Sequence, residues 1–143
     1  MLAEWLARPE VARWWPDPKH QLGLVRDDLD EAAMTQLIAM DGDMPLGYAQ
    51  HYLAHHWPAP HFADLSADAI AIDVFGGPDG IGRGGQWLRV LGDLLLERTS
   101  VLAIDPDPRN LRAIRAYQKA GFSGDEVLPD GAGTPVRVMT RRR

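Results

Sequence analysis

The run Ile104-Asp105-Pro106-Asp107-Pro108-Arg109-Asn110-Leu111-Arg112-Ala113-Ile114-Arg115-Ala116-Tyr117-Gln118-Lys119-Ala120-Gly121-Phe122 reads as a strand end, a rigid turn, an amphipathic helix and a helix stop. Residues 100–104 are short, mostly apolar and partly β-branched, the pattern of a buried strand. Pro106 and Pro108 each exclude the preceding residue from the helical region, so Asp105 and Asp107 are expected in extended or turn conformations. Asp107 is predicted to cap the helix, with Pro108 at its first position. Gly121 supplies the stop, and Phe122 opens the next extended run. Asn110, Ala113 and Tyr117 fall at i, i+3 and i+7 on one stripe, while Leu111, Ile114 and Ala120 are expected to face the core. The stripe offers an amide, a small residue and a phenol to a ligand lying along the helix.

This pattern, Asn110…Ala113…Tyr117-x-Lys119-x-Gly121-Phe122, resembles the late coenzyme A helix of the GNAT superfamily of acetyl-CoA-dependent N-acetyltransferases. Asp105-Pro106-Asp107-Pro108, with Glu4-Trp5-Leu6-x-Arg8-Pro9-x-Val11-x-x-Trp14-Trp15 near the start, is similar to the branch holding aminoglycoside 6'-N-acetyltransferases and their siderophore-acylating relatives. The resemblance implies one α/β domain over residues 1–143, with a central mixed, mostly antiparallel sheet and about four helices. It also implies that the strand holding Asp73 and the strand at 100–105 splay apart to admit the pantetheine arm. Members of the branch carry a strand before the first helix. This chain begins without it, so either the start lies late or the sheet lacks its first strand; an open sheet edge invites pairing, and a monomer or homodimer is expected.

Composition bounds the alternatives. The 143 residues suffice for one domain with one core. No apolar run is long enough to span a bilayer, and the start lacks the layout of a signal peptide, so no membrane partner is expected. The absence of cysteine excludes disulfides, thiolate metal sites and an acyl-cysteine intermediate, and a cytoplasmic enzyme fits. A net charge of −5 argues against a nucleic-acid partner and is compatible with a cationic substrate.

The first eight residues read as a short helix broken by Pro9. Trp14 and Trp15 are either a hydrophobic plug or an aromatic wall for a sugar or polyamine cation. Leu22, Val25, Leu29 and Ala32 recur at helical spacing, predicting a helix over 21–33 whose Asp27, Asp28, Asp30 and Glu31 form a solvated face. Residues 35–40 and 45–53 are predicted to form a hairpin around Asp41-Gly42-Asp43-Met44. His51, His55, His56 and His61 cluster next; His51 and His55 could share a helix face as zinc ligands do, but the segment reads as strand then loop, Pro58 and Pro60 prevent a long helix and no third ligand has metal spacing, so no metal is expected. Residues 57–68 read as a loop that borders the acceptor site in the resembled family.

Residues 69–75 form a buried-type strand with Asp73 inside it, where a charge is expensive. Either a partner such as arginine neutralises it, or it serves as a base at the sheet's open end. The segment Gly76-Gly77-Pro78-Asp79-Gly80-Ile81-Gly82-Arg83-Gly84-Gly85 then leads into a helix over about 86–97, with Leu88, Leu91 and Leu95 inward. A glycine-rich turn at a helix start frees amides to face an anion. Relatives carry Ile-Gly-Arg-Gly, one further residue, then glycine. Here Gln86 takes that last position, or two residues are missing after Gly84, or the frame is Asp79-x-x-Gly82-x-Gly84. Residues 122–128 and 134–140 should close the sheet as a hairpin, followed by a disordered basic tail over 141–143.

Carried over residue by residue, the resemblance implies acetyl-CoA as co-substrate, held by Val74, Phe75, Gly76, Gly80, Gly82, Arg83, Gly84, Gly85, Asn110, Ala113, Tyr117 and Lys119. It implies Asp73, or Asp105 beside it, as base and Tyr117 as the acid that protonates the coenzyme A thiolate. Trp15, Gln50, Asp73 and Asp105 would then face a small-molecule amine acceptor. Three activities stay open: acetylation of a primary amine on an aminoglycoside-like polycation, acylation of a hydroxylamine in siderophore assembly, and coenzyme A binding without catalysis.

Overall fold

The structure, a computed structural model, describes residues 1–143. Two short helices open the chain, α1 (Leu2–Ala7) and α2 (Pro9–Ala12), separated by extended Arg8 with Pro9 at the first position of α2. The next helix, α3 (Pro18–Asp27), starts and ends before the range its hydrophobic spacing predicts. Asp17 sets the start: at φ 58° it is the helix cap, its carboxylate accepting from His20 N at 3.2 Å, with Pro18 just inside. Acidic residues oppose the negative pole at a helix C-terminus, and the chain leaves α3 at the acidic run, through a short 3₁₀ turn at Asp28–Asp30. Leu29 is consequently exposed rather than buried.

Strands β1 (Thr35–Asp41) and β2 (Met44–Leu53) form the expected hairpin, with Gly42 at φ 58° in a two-residue turn. Next come β3 (Ile70–Gly76), α4 (Gly84–Leu95), β4 (Val101–Ile104), α5 (Leu111–Lys119), β5 (Ser123–Pro129) and β6 (Pro135–Arg142). The sheet is six-stranded in the order β1-β2-β3-β4-β6-β5. Every pairing is antiparallel except β3 with β4. That parallel pair has two rungs only, Ile70 with Leu102 and Ala71 with Ala103. Beyond them β3 runs on beside β2 to Gly76, so the two strands separate and leave the slot the resemblance implies.

Both faces of the sheet are covered. Under α4 and α5 lie Ile70, Ile72, Leu88, Leu95, Leu102, Ile104, Ile114, Phe122 and Met139. Under the N-terminal helices lie Trp5, Leu6, Val11, Val25, Tyr48 and Phe75. A third cluster, with Phe62, Ala71, Val101 and Ala103, sits beneath the loop between β2 and β3.

Three expectations are corrected. Helix α5 begins at Leu111, capped by Asn110, whose side-chain oxygen accepts from Ala113 N at 3.2 Å. Asp107 instead closes the preceding turn by accepting from Arg109 N at 2.9 Å. Leu111, on the first turn of the shortened helix, is 58% exposed. The terminal arginines are ordered, because β6 pairs with β4 to its end. Arg141 binds Arg89 O and Asp93, and Arg143 donates through its backbone to Ser100 O and through Nε to Leu96 O.

Candidate active site

Strand alternation places the two carboxylates. Ile70, Ile72, Leu102 and Ile104 point under α4 and α5, whereas Ala71, Phe75, Val101 and Ala103 take the opposite face. Asp73 on β3 and Asp105 just after β4 continue the second set, so both reach one face near the mouth of the slot. Gln50 is the register partner of Asp73 on β2, and its Nε2 donates to Asp73 Oδ2 at 2.9 Å. Asp105 accepts from His61 Nε2 at 2.7 Å. No lysine or arginine pairs with Asp73, so the ion-pair account of this buried charge does not hold. Burial, and after it the charge of Asp105, push the Asp73 carboxyl up to about 7.

Three connected spaces meet at this pair. A cavity of about 490 Å³ is lined by Asp28, Glu31, Gln50, Tyr52, Trp57, His61, Phe62, Asp73, Asp105 and Asp130 among others. A groove of about 670 Å³ runs between the end of β3, the start of α4 and the flank of α5. A neck of about 390 Å³ joins them, sharing Gln50, Asp73 and Asp105 with the cavity and Trp14, Trp15, Val74, Asn110 and Tyr117 with the groove. A thioester in the groove and an amine in the cavity would therefore meet beside the carboxylates.

Val74, Phe75, Gly76, Gly80, Gly82, Gly84, Gly85, Asn110, Ala113, Tyr117 and Lys119 all line the groove. Arg83 does not; its guanidinium donates to Asp41 at 2.7 Å. The N-terminus of α4 carries no side-chain cap, and the amides of Gly82, Gly84 and Gly85 have no acceptor in the fold, which leaves a concave set of donors suited to phosphate. Two of the glycines also have a packing reason. A Cβ on Gly80 would lie 2.0 Å from Leu46 O, and one on Gly85 would lie 2.8 Å from Lys119 Cβ. Gln86, whose register was ambiguous, is exposed in the first turn of α4.

Tyr117 reaches the groove and the neck from α5. Burial, then the charges of Asp73 and Asp105, push its phenol up, so it retains its proton. Trp15 lines the groove and the neck rather than the acidic cavity, standing edge-on to Phe75 with centroids 5.1 Å apart. Its packing is that of a plug against the core cluster under the N-terminal helices. The guanidinium groups of Arg13 and Arg109 lie over the Trp14 ring, 4.6 and 5.9 Å from its centroid.

The cavity holds residues that the sequence reading did not single out as site residues. Asp28 and Glu31 belong to it, not to a solvated face, because α3 stops before them and the chain turns back over the sheet. Tyr52 follows Tyr48 and Gln50 on one face of β2, an alternation that could have flagged it. Trp57 and Asp130 come from loops, whose placement no local pattern gives. The histidines disperse: His51 is buried in β2, His55 bonds Leu65 O, His56 meets Trp57 and His61 holds Asp105.

Comparison with known proteins agrees with this geometry. The sequence model of the acetyltransferase (GNAT) domain matches residues 1–128, and the chain belongs to that family. It is an acetyl-CoA-dependent N-acetyltransferase. It is 36% identical over 164 residues to the aminoglycoside N(6')-acetyltransferase type 1 of Klebsiella pneumoniae, covering 99% of this chain and 78% of that one. A kanamycin resistance protein of Rhizobium radiobacter is 48% identical over 67 residues, 44% of this chain and 61% of the other. Among solved structures, aminoglycoside acetyltransferase AAC(6')-Ib in complex with coenzyme A and kanamycin superposes with a TM-score of 0.80 at 31% identity, covering 100% of this chain and 88% of that one.

Proposed function

We propose that this enzyme moves the acetyl group of acetyl-CoA directly to a primary amine of an aminoglycoside-like polycation. The observation that carries the reading is the position of Asp73 and Asp105, shared by a cavity with three further carboxylates and by the neck of the groove. The kanamycin complex of a relative and the matched family support both the acceptor class and the cofactor.

In this reading the groove takes acetyl-CoA, with its diphosphate on the free amides at the start of α4 and its pantetheine arm in the slot between β3 and β4. The cavity draws in an ammonium, which must lose a proton before its nitrogen can attack. Asp73 accepts that proton, directly or through water, and the raised carboxyl makes it a competent base near neutral pH. The nitrogen bonds to the acetyl carbon, and the free edge of β3 beyond Ala71 presents an amide to the developing oxyanion. The carbon–sulfur bond breaks, the Tyr117 phenol gives its proton to the departing thiolate, and the second proton of the former amine nitrogen returns to the phenolate as the neutral amide forms.

A hydroxylamine acceptor is neutral and gains nothing from Asp28, Glu31 and Asp130. Thiol release should therefore be measured with kanamycin, a monoamine and an N-hydroxyamine. The reading expects kanamycin to give the highest kcat/KM. Preference for the N-hydroxyamine would assign the siderophore-type activity, and tight acetyl-CoA binding without thiol release would leave a binding module.

A further inference from the structure

His61 stands in the 3₁₀ turn Pro60–Phe62, between β2 and β3. Its Nε2 is 2.7 Å from Asp105 Oδ2, and only 7% of its side-chain surface is exposed. Its Nδ1 is buried without any partner. An N–H at Nδ1 would be buried with nothing to accept from it, which places the ring's donor at Nε2, facing Asp105 Oδ2.

Resting on the base reading of Asp73, we propose that His61 is a positioning residue: its Nε2–H holds Asp105 as the ionised member of the carboxylate pair and so leaves Asp73 to receive the proton of the attacking amine. Of the groups around the pair, only His61 donates to the Asp105 side chain. Gln50 donates to Asp73, and Tyr52, also on β2, faces the same cavity. Tyr117 approaches from α5, while Asp28, Glu31 and Asp130 add negative charge from the connections around the cavity. The fixed negative charge of Asp105 then strengthens Asp73 as a base.

The test compares wild type with His61→Leu, which removes the donor, and His61→Gln, which can restore one. Two readouts are needed: the pH profile of kcat/KM with kanamycin, and titration of the two carboxyls by ¹³C NMR in the unliganded enzyme. Losing the donor destabilises ionised Asp105, so the lower apparent pKa of the pair should rise by about one unit in His61→Leu, and Asp105 should take over part of the upper titration, and of the acid limb, that Asp73 carries alone in wild type. His61→Gln should recover about half of that shift. A uniform loss of turnover with unmoved titrations would overturn the proposal and leave His61 as packing. Should His61→Leu fail to fold, ¹⁵N shifts of the wild-type ring decide: a proton on Nε2 supports the proposal and one on Nδ1 overturns it. If wild type acetylates none of the amines, the functional reading fails, and the carboxyl titration still decides the role of His61.

Discussion

Gln50 donates through Nε2 to Asp73 Oδ2 at 2.9 Å, across a direct β2–β3 pair. The Tyr48 hydroxyl fixes the sense of that contact by donating to Gln50 Oε1 at 2.8 Å. With its oxygen engaged by Tyr48, the amide turns its NH2 to Asp73, and a hydrogen bond donated to a carboxylate favours the ionised form over the protonated one. It thereby opposes burial and the charge of Asp105 and keeps the carboxyl low enough to be ionised near neutral pH. Gln50→Leu removes the donor, so Asp73 should ionise at still higher pH. The acid limb of kcat/KM is expected to move up by about one unit, with KM for acetyl-CoA unchanged.

The same raised carboxyl has a cost in stability. An unfolded Asp73 ionises near 4, whereas the folded one keeps its proton until about 7. Between those values the folded state holds a proton that the unfolded chain has released, so stability falls as pH rises through the window. Asp73→Asn removes this penalty. Its Tm should exceed that of wild type by about 5 °C at pH 8 and match it at pH 4, as calorimetry would show.

Tyr117 tests the other end of the proton path. Tyr117→Phe keeps the ring in the groove and removes only the hydroxyl. Thiolate is a good leaving group, so the loss in kcat should lie near the low end for general acids, about 10²-fold, with KM for acetyl-CoA within about twofold. An unchanged kcat would show that water supplies this proton.

Asp28 and Glu31 lie on the cavity away from the groove. Asp28→Asn with Glu31→Gln should raise KM for kanamycin by about fivefold to tenfold at low salt, less at high salt, and leave KM for acetyl-CoA alone. The same double variant should scarcely affect a monoamine, which has no second cation to place there.

Local chemistry explains which parts were legible in the sequence. Helix α5 and its groove-facing stripe follow from periodicity and from Gly121, which sits at φ 97°. Asp73 was legible because a charge inside an apolar strand demands a reason. The start of α5 was misread because two prolines and Asp107 imitate a cap, while Asn110 forms the actual one. The two-rung pairing of β3 and β4 leaves no mark in either strand, since splaying depends on what packs between them. The acidic cavity was hidden for a related reason: the Asp28–Glu31 segment, His61 and Asp130 lie far apart along the chain and meet only when three connections fold over one sheet face.

The central claim is that Asp73 is the base at the junction of groove and cavity, and thiol release from acetyl-CoA with kanamycin at pH 8 tests it most directly. Asp73→Asn keeps the shape and removes the basic oxygen. The account predicts that its kcat falls by at least about 10²-fold while KM for acetyl-CoA stays within about twofold. Wild-type turnover in Asp73→Asn would contradict it.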